Sequence, residues 1–513
     1  MFDYLIRNGR LVDGTGNPWR IGDVAVKDGR IVAVGSIGDV ETKRVINANG
    51  RIVSPGFIDA HSHTDATVED NPYFDSTIRQ GVTTEVVGNC GNLVGLNAKK
   101  SLGQHFRVLE EKGMSANLAY LAGHNAIRRA CNVLGSDYTE EQFRAMENCL
   151  RLSLEDGAFG MSSGLEFDPG RMSRPQEILR LAKVLQEYDA IYTSHIRNRD
   201  ANVWAAVDEF IAVVRAYGIR GEISHMNIRY NTHAPENAIG GCIERIKAAR
   251  DEGLDILTDM TPLVYGTGSP AGILPSWLTS EKPKMQREML LDPGSREKLR
   301  HDCDRYWRFI AGGEWDRVRV QGNLFFPAIN GLTFPEIAKL WNKDPWDCYF
   351  DIMAAHTDDF TKVKFVAKLF TDEHLVETVS NPLYMLVVDG NSSSTEGAVS
   401  QRTHFPLHYV GMAWFLTKHV RELHTLSLEE AIRKMTSMPA QHFRIRNRGL
   451  LTEGYHADIV VFDLDKLNTP FDLKNPKQYT TGMDYVMIAG TLVLDEGKHL
   501  HTTPGKCLRR WDD

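Results

Sequence analysis

The fold the sequence predicts is α/β: a TIM-type (β/α)8 barrel with a small β-sandwich domain formed from both termini and a long insertion between strands seven and eight. Three observations predict it. Apolar strand, loop and amphipathic helix alternate through the middle of the chain, which is the sequence form of parallel βα units. Eight strand candidates fit that alternation, the number that closes such a barrel. Strand texture with turn residues returns at both ends, pointing to one small β-domain assembled from the two termini.

In chain order, Asp23-Val24-Ala25-Val26 and Ile31-Val32-Ala33-Val34 flank Lys27-Asp28-Gly29-Arg30, and Asp-Gly between apolar runs signals a hairpin because both turn residues need positive φ. The barrel strands are expected at Ile52 to Ala60, Thr83 to Asn89, Asn117 to Gly123, Phe159 to Ser163, Ile191 to Ser194, Glu222 to Ser224, Ile256 to Asp259 and Leu383 to Val388. Capping boxes are expected at Thr139 to Gln142, Ser173 to Gln176 and Ser427 to Glu430, where a hydroxyl and a carboxylate or amide satisfy orphan helix N–H groups. The stretch from Met260 to Pro382 is far longer than a βα loop requires, so a helical insertion over the barrel mouth, a candidate lid, is expected there. Ala457 to Phe462 and Tyr485 to Leu494 complete the terminal strands. These readings place the small β-domain at 1–54 and 447–513 and the barrel at 55–446, with 260–382 as the insertion.

Composition narrows the function. The 513 residues are 42% hydrophobic and 25% charged, ordinary globular proportions that exclude intrinsic disorder. With 59 basic against 67 acidic residues, the net charge of -8 gives no basic excess for nucleic acid or an anionic membrane, which leaves a small-molecule substrate. Seven cysteines, an odd number without a CxxC pair, argue against a disulfide framework and for a reducing cytoplasm. No apolar run long enough for a signal peptide or a membrane span appears. The segment Asp304 to Phe309 mixes aromatic and basic residues and reads as a packed amphipathic face.

The chemistry sits at the ends of the strands. Gly56 to Asp65 contains His61-Ser62-His63 directly after an apolar strand, and the period-two rule puts both imidazoles on one side, close enough to share an ion. Other strands end at Gly88-Asn89-Cys90-Gly91, Gly123-His124, Ser194-His195, Ser224-His225 and Val388-Asp389-Gly390. In a TIM barrel all of these ends meet at one rim. Cys90, His195, His225, His61, His63 and Asp389 therefore form a candidate metal centre of good zinc-ligand types.

These segments resemble the amidohydrolase superfamily, and within it the N-acyl-D-amino-acid deacylase (D-aminoacylase) branch, over nearly the whole chain. The resemblance is carried by Pro55 to Asp65, Gln80 to Gly91, Gly157 to Leu165, Ser194-His195-Ile196-Arg197-Asn198, Ser224-His225 and Arg448 to Val461. The Gly-Asn-Cys-Gly segment is the part most specific to the branch. The resemblance implies zinc: Cys90, in place of the carbamylated lysine of dihydroorotases and hydantoinases, with His195 and His225 on a tightly bound ion, His61 with His63 on a second, weaker or empty site, and Asp389 as the catalytic carboxylate. Zinc lowers the pKa of water to about 7, and Asp389 is expected to act as general base and then acid.

Substrate-facing segments depart from the branch. Its lysine two residues after the sixth-strand histidine is Asn227 here, a neutral amide. Its Tyr-Pro-Tyr after strand seven is Thr261-Pro262-Leu263 with Tyr265 nearby, and its His-Pro-Arg after the aspartate is blurred into Gln401 to Pro406. Arg197 is a candidate carboxylate anchor, since arginine binds carboxylates bidentately, and Ser224 and His124 are candidate oxyanion donors. The leading reading is a zinc-dependent hydrolase of N-acyl amino acids. Its alternatives are a cyclic-amide hydrolase or deaminase on the same barrel and a non-catalytic metal-binding scaffold.

Overall fold

Eight parallel strands run in sequence order through the sheet of the computed structural model, which describes residues 1–94, 101–268, 270–303, 306–323 and 325–512. They are Phe57–Asp59, Val82–Val87, Asn117–Gly123, Gly160–Gly164, Ile191–His195, Gly221–Ile223, Ile256–Met260 and Tyr384–Leu386. The first and eighth strands approach through a parallel bridge between Ser62 and Gly390, and the Asp389 amide donates to the His61 carbonyl at 2.9 Å. The sheet is thus a nearly closed barrel, as the eight strand candidates predict. Side chains alternate across it: Ile58, Val86, Ala119, Leu121, Ile191 and Met385 share one buried cluster, whereas Phe57, Val87, Leu118, Tyr120, Tyr192 and Tyr384 join the larger core with the surrounding helices.

Local sequence accounts for several boundaries. Glu140–Glu155 begins with the full capping box of Thr139 and Gln142, and Ser427 accepts from the Glu430 amide ahead of Leu428–Met435. Ser173 does not cap its helix. Pro175 occupies the first turn of Pro175–Glu187, so the cap position falls on Arg174, and the Ser173 hydroxyl donates to Gly170 instead.

The expected first strand, Ile52 to Ala60, divides between two sheets. Ile52–Pro55 pairs with Phe2–Leu11 and Ile459–Phe462, while Phe57–Asp59 enters the barrel. Strands from the two termini share one nine-stranded sheet, in which Asp28 (φ 50°) and Gly29 (φ 75°) make the expected hairpin turn. Tyr485 to Leu494 is two strands rather than one, because Ala489 (φ 45°) and Gly490 (φ 77°) turn the chain between Met483–Ile488 and Thr491–Asp495. Cys507–Leu508 leaves that sheet and pairs with the third barrel strand.

Between the seventh and eighth barrel strands the chain is not purely helical. A three-stranded antiparallel sheet, with Lys364–Lys368 between Tyr265–Gly268 and Val318–Gln321, stands among helices that include Pro283–Leu291, Phe334–Trp341 and Pro345–Ala355. Of the Asp304 to Phe309 segment, Asp304 and Arg305 lie outside the described residues; Tyr306 and Trp307 are buried and stacked, as a packed face requires. Among the described residues no helix is long and apolar enough to cross a membrane.

Candidate metal centre

Three of the strand-end residues that bear chemistry have left-handed backbones: Cys90 (φ 51°), His225 (φ 35°) and Asp389 (φ 55°). Such conformations cost non-glycine residues about 1–3 kcal/mol each and concentrate at functional sites. Here they bend the chain inward at the point where each strand leaves the barrel. Around Cys90 the flanking glycines make the bend possible. A Cβ on Gly88 (φ 82°) would lie 2.2 Å from the Leu121 carbonyl oxygen, and one on Gly91 (φ 70°) 2.3 Å from Asn125 Oδ1. The Gly-Asn-Cys-Gly motif is therefore a steric prescription for presenting one thiol.

Ligand atoms of His61, Cys90, His225 and Asp389 lie within 4.8 Å of one another. The Cys90 Sγ is 3.4 Å from His61 Nε2, 3.2 Å from His225 Nε2 and 3.7 Å from His195 Nδ1. His195 Nδ1 stands 3.1 Å from His225 Nε2. Asp389 Oδ1 lies 3.5 Å from His61 Nε2 and 3.2 Å from His63 Nε2. All six residues anticipated for the metal centre thus converge on one rim.

Neighbouring groups orient the rings. Asp259 accepts from His61 Nδ1 at 3.3 Å and from the His225 amide. Glu166 accepts from His195 Nε2 at 2.8 Å, leaving Nδ1 toward the thiol. Arg199 donates to the His225 carbonyl at 2.8 Å and reaches Nδ1 at 2.9 Å. Arg229, fully buried, pairs with Glu166.

Burial and the Arg199 charge push His195 down to about 4, and the same two causes hold His225 well below its ordinary value, so both rings are neutral at pH 7, and His195, donating through Nε2 to Glu166, keeps its Nδ1 lone pair free. Burial, reinforced by Asp389, pushes the Cys90 thiol up, the reverse of what an adjacent divalent cation does to a thiol. Burial opposes ionisation of Asp389, yet the His63 hydrogen bond and the His61 charge hold it below the usual carboxylate range. One soft thiol, imidazoles and a carboxylate on a shared centre form a donor set suited to zinc.

Of the substrate-facing candidates, Arg402, His404 and Phe405 from the Gln401 to Pro406 segment line the cavity over the metal centre, whereas Arg197, Asn227, Tyr265, Ser224 and His124 are not among its lining residues. Arg197 pairs bidentately with Glu209 at 2.9 Å, and its guanidinium also donates to Arg171 and Ser173 carbonyls. Asn227 accepts from the Thr261 amide, Ser224 donates to Glu222, and His124 is buried against Glu177 at 2.7 Å. Tyr265 packs on Phe471. That cavity, of about 300 Å³, is also lined by residues that sequence reasoning did not assign to the site, among them Arg199, Phe167, Tyr306, Gln321, Lys364 and His408. Glu166 and Asp259 were the legible omissions, since one follows the fourth strand and the other is the last residue but one of the seventh.

Glu166 gives a direct test of the orienting shell. Burial opposes its ionisation, but Arg229 and His195 hold its pKa far below the ordinary 4.5. Glu166→Gln is expected to weaken zinc binding about 10- to 100-fold in a chelator competition. It should also cost about 3 kcal/mol at pH 7 by leaving the buried Arg229 charge underpaired. Because the folded pKa is depressed, this contribution is complete above the unfolded value and fades as pH falls below 4.5. A stability gap between wild type and variant that fails to narrow there would contradict the assignment.

Comparison with known proteins agrees with this geometry. Residues 44–102 and 389–494 match the model of the amidohydrolase family. The chain is 30% identical to N-acyl-D-glutamate deacylase of Alcaligenes xylosoxydans xylosoxydans, over 99% of this chain and 96% of that one. It is 27% identical to N-acyl-D-aspartate deacylase of the same organism, over 99% and 95%. A crystal structure of N-acyl-D-glutamate deacylase from Bordetella bronchiseptica, complexed with zinc and a phosphonate mimic of the tetrahedral intermediate, superposes with a TM-score of 0.79 at 26% identity, covering 99% of both chains. Fold, site and relatives define a metal-dependent hydrolase of C–N amide bonds. The chain belongs to the amidohydrolase family, in its N-acyl-D-amino-acid deacylase branch.

Proposed function

We propose that the chain hydrolyses the amide bond of N-acyl amino acids of D configuration, with Asp389 as general base and then general acid. The observation that carries this reading is the Asp389 carboxylate, 3.2 Å from His63 and 3.5 Å from His61, in one cluster with Cys90 and His225. Two relatives that match along the whole chain are named for the deacylation of N-acyl-D-glutamate and N-acyl-D-aspartate, which supports both the bond and the configuration.

In this reading Cys90, His195 and His225 hold one tightly bound zinc, and His61 with His63 offer a second, weaker site. What the ion supplies when bound is Lewis acidity toward the scissile carbonyl and water acidified to a pKa near 7. Asp389 is ionised at neutral pH and accepts a proton from the attacking water. The same carboxyl then protonates the departing amine, and His63 steadies it through its hydrogen bond. Glu166 and Asp259 keep the His195 and His61 rings turned toward the centre. Seven free thiols support a reducing, cytoplasmic setting.

The test is amine release by the zinc-loaded protein from N-acetyl D- and L-amino acids, with a hydantoin and neutral N-acyl amines alongside. Turnover confined to the D-amino acid derivatives is expected. Turnover of the hydantoin or the neutral amides alone would replace the proposed substrate class.

A further inference from the structure

The mechanism above gives the nitrogen of the scissile amide a partner and leaves the acyl group without one. Asp389 follows the eighth barrel strand and is tied to the first through its amide bond to the His61 carbonyl, so a substrate nitrogen that takes its proton faces that side of the mouth. An amide is planar, and its nitrogen and acyl substituent leave the carbonyl carbon in different directions. A nitrogen turned to Asp389 therefore sends the acyl group away from it. Eight strands in sequence order around a nearly closed barrel put the end of the fourth strand across the mouth from the end of the eighth.

Phe167 stands at that opposite end. Its amide donates to the Gly164 carbonyl at 3.4 Å, and Asn125 Nδ2 donates to the Gly164 and Phe167 carbonyls at 3.1 and 3.3 Å, which ties the residue to the strand. The Phe167 ring is half-buried and lines the cavity, its centroid 4.6 Å from that of His195 and 6.3 Å from that of Tyr306. Tyr306 lines the same cavity and is braced from behind, stacked on Trp307 at 5.4 Å, which stacks in turn on Phe309 at 6.0 Å. Gly268 permits this approach, since a Cβ there would lie 2.6 Å from Trp307 and 2.7 Å from the Tyr306 hydroxyl. Val366, on the strand paired with Tyr265–Gly268, adds an aliphatic side chain to the lining. Beside Asp389 the lining is polar instead: His63 at 3.2 Å, Asn391, and His408, whose Nδ1 accepts from the Asn391 amide.

A rigidly held aromatic ring left half-open inside a cavity offers apolar contact to whatever enters, by stacking or edge-on packing. Resting on the deacylase reading above, we propose that Phe167, with Tyr306 and Val366, receives the acyl group of the substrate, and that the preferred acyl groups are apolar and larger than acetyl, an arylacetyl group fitting best. Phe167 is a specificity-determining residue for the acyl half of the substrate, whichever amino acid forms the other half.

The acid that hydrolysis releases carries the acyl group without the amine, so this wall can be read by binding alone. Titration calorimetry with phenylacetate and with acetate, on the zinc-loaded wild type, Phe167→Ala and Phe167→Leu, is set beside kcat/KM for N-phenylacetyl-D-glutamate and N-acetyl-D-glutamate. The wild type is expected to favour the phenyl compound about tenfold in both measurements, the size of contrast that partial burial of one ring provides. Phe167→Ala should bring both contrasts close to unity. Phe167→Leu keeps an apolar side chain beside His195, is read in the same way if the alanine variant loses zinc, and should show an intermediate contrast. A wild type that favours acetate and the acetyl compound, or a preference for the phenyl group that survives undiminished in both variants, would overturn the proposal. A wild type that binds phenylacetate over acetate through Phe167 yet hydrolyses neither N-acyl compound would refute the deacylase reading and leave the Phe167 contact standing.

Discussion

Asp389→Asn is expected to lower kcat by about 10³-fold while leaving zinc content and thermal stability near those of the wild type, because general acid–base groups contribute roughly 10²- to 10⁴-fold. The asparagine keeps the shape of the residue in its left-handed backbone position (φ 55°) and keeps an oxygen toward His63. It cannot accept a proton from water or return one to the amine. Metal analysis beside steady-state kinetics separates this outcome from loss of the site. Full turnover by Asp389→Asn would remove the carboxylate from the mechanism.

The second large effect is expected at Cys90. Its sulfur lies between three imidazoles, at 3.2, 3.4 and 3.7 Å, so no other side chain takes its place at the middle of the donor set. Cys90→Ala removes the one thiolate and leaves His61, His195 and His225 facing a void. Zinc retained after dialysis should fall to a small fraction of the wild-type content, and turnover should fall with it. The two variants differ in kind: Asp389→Asn is a loaded but inert protein, whereas Cys90→Ala is an empty one. Retention of a full zinc complement by Cys90→Ala would refute the ligand set.

The metal centre was legible because a parallel barrel turns sequence position into spatial position. Every strand ends at the same rim, so His61, Cys90, His195, His225 and Asp389 needed only correct strand ends to be brought together. The cavity walls have no such rule. Arg197 and Arg199 are two residues apart in one loop, and their fates differ through partners supplied by other segments: Glu209 captures the first and His225 the second. Ser173 resembled a cap until Pro175 moved the helix start by one residue. Lys364 was hidden for a different reason. It lies in an insertion read as helical, and only the pairing of its strand with Tyr265–Gly268 and Val318–Gln321 turns it to the cavity.

The most direct test of the central claim, that these strand ends form one metal-dependent amide hydrolase site, is a zinc titration of metal-free protein followed through hydrolysis of N-acetyl-D-glutamate. The metal-free chain is expected to be inert and to gain activity as zinc is added, with the Cys90→Ala variant flat throughout. Full turnover by the metal-free protein, or an equal response from Cys90→Ala, would contradict the account.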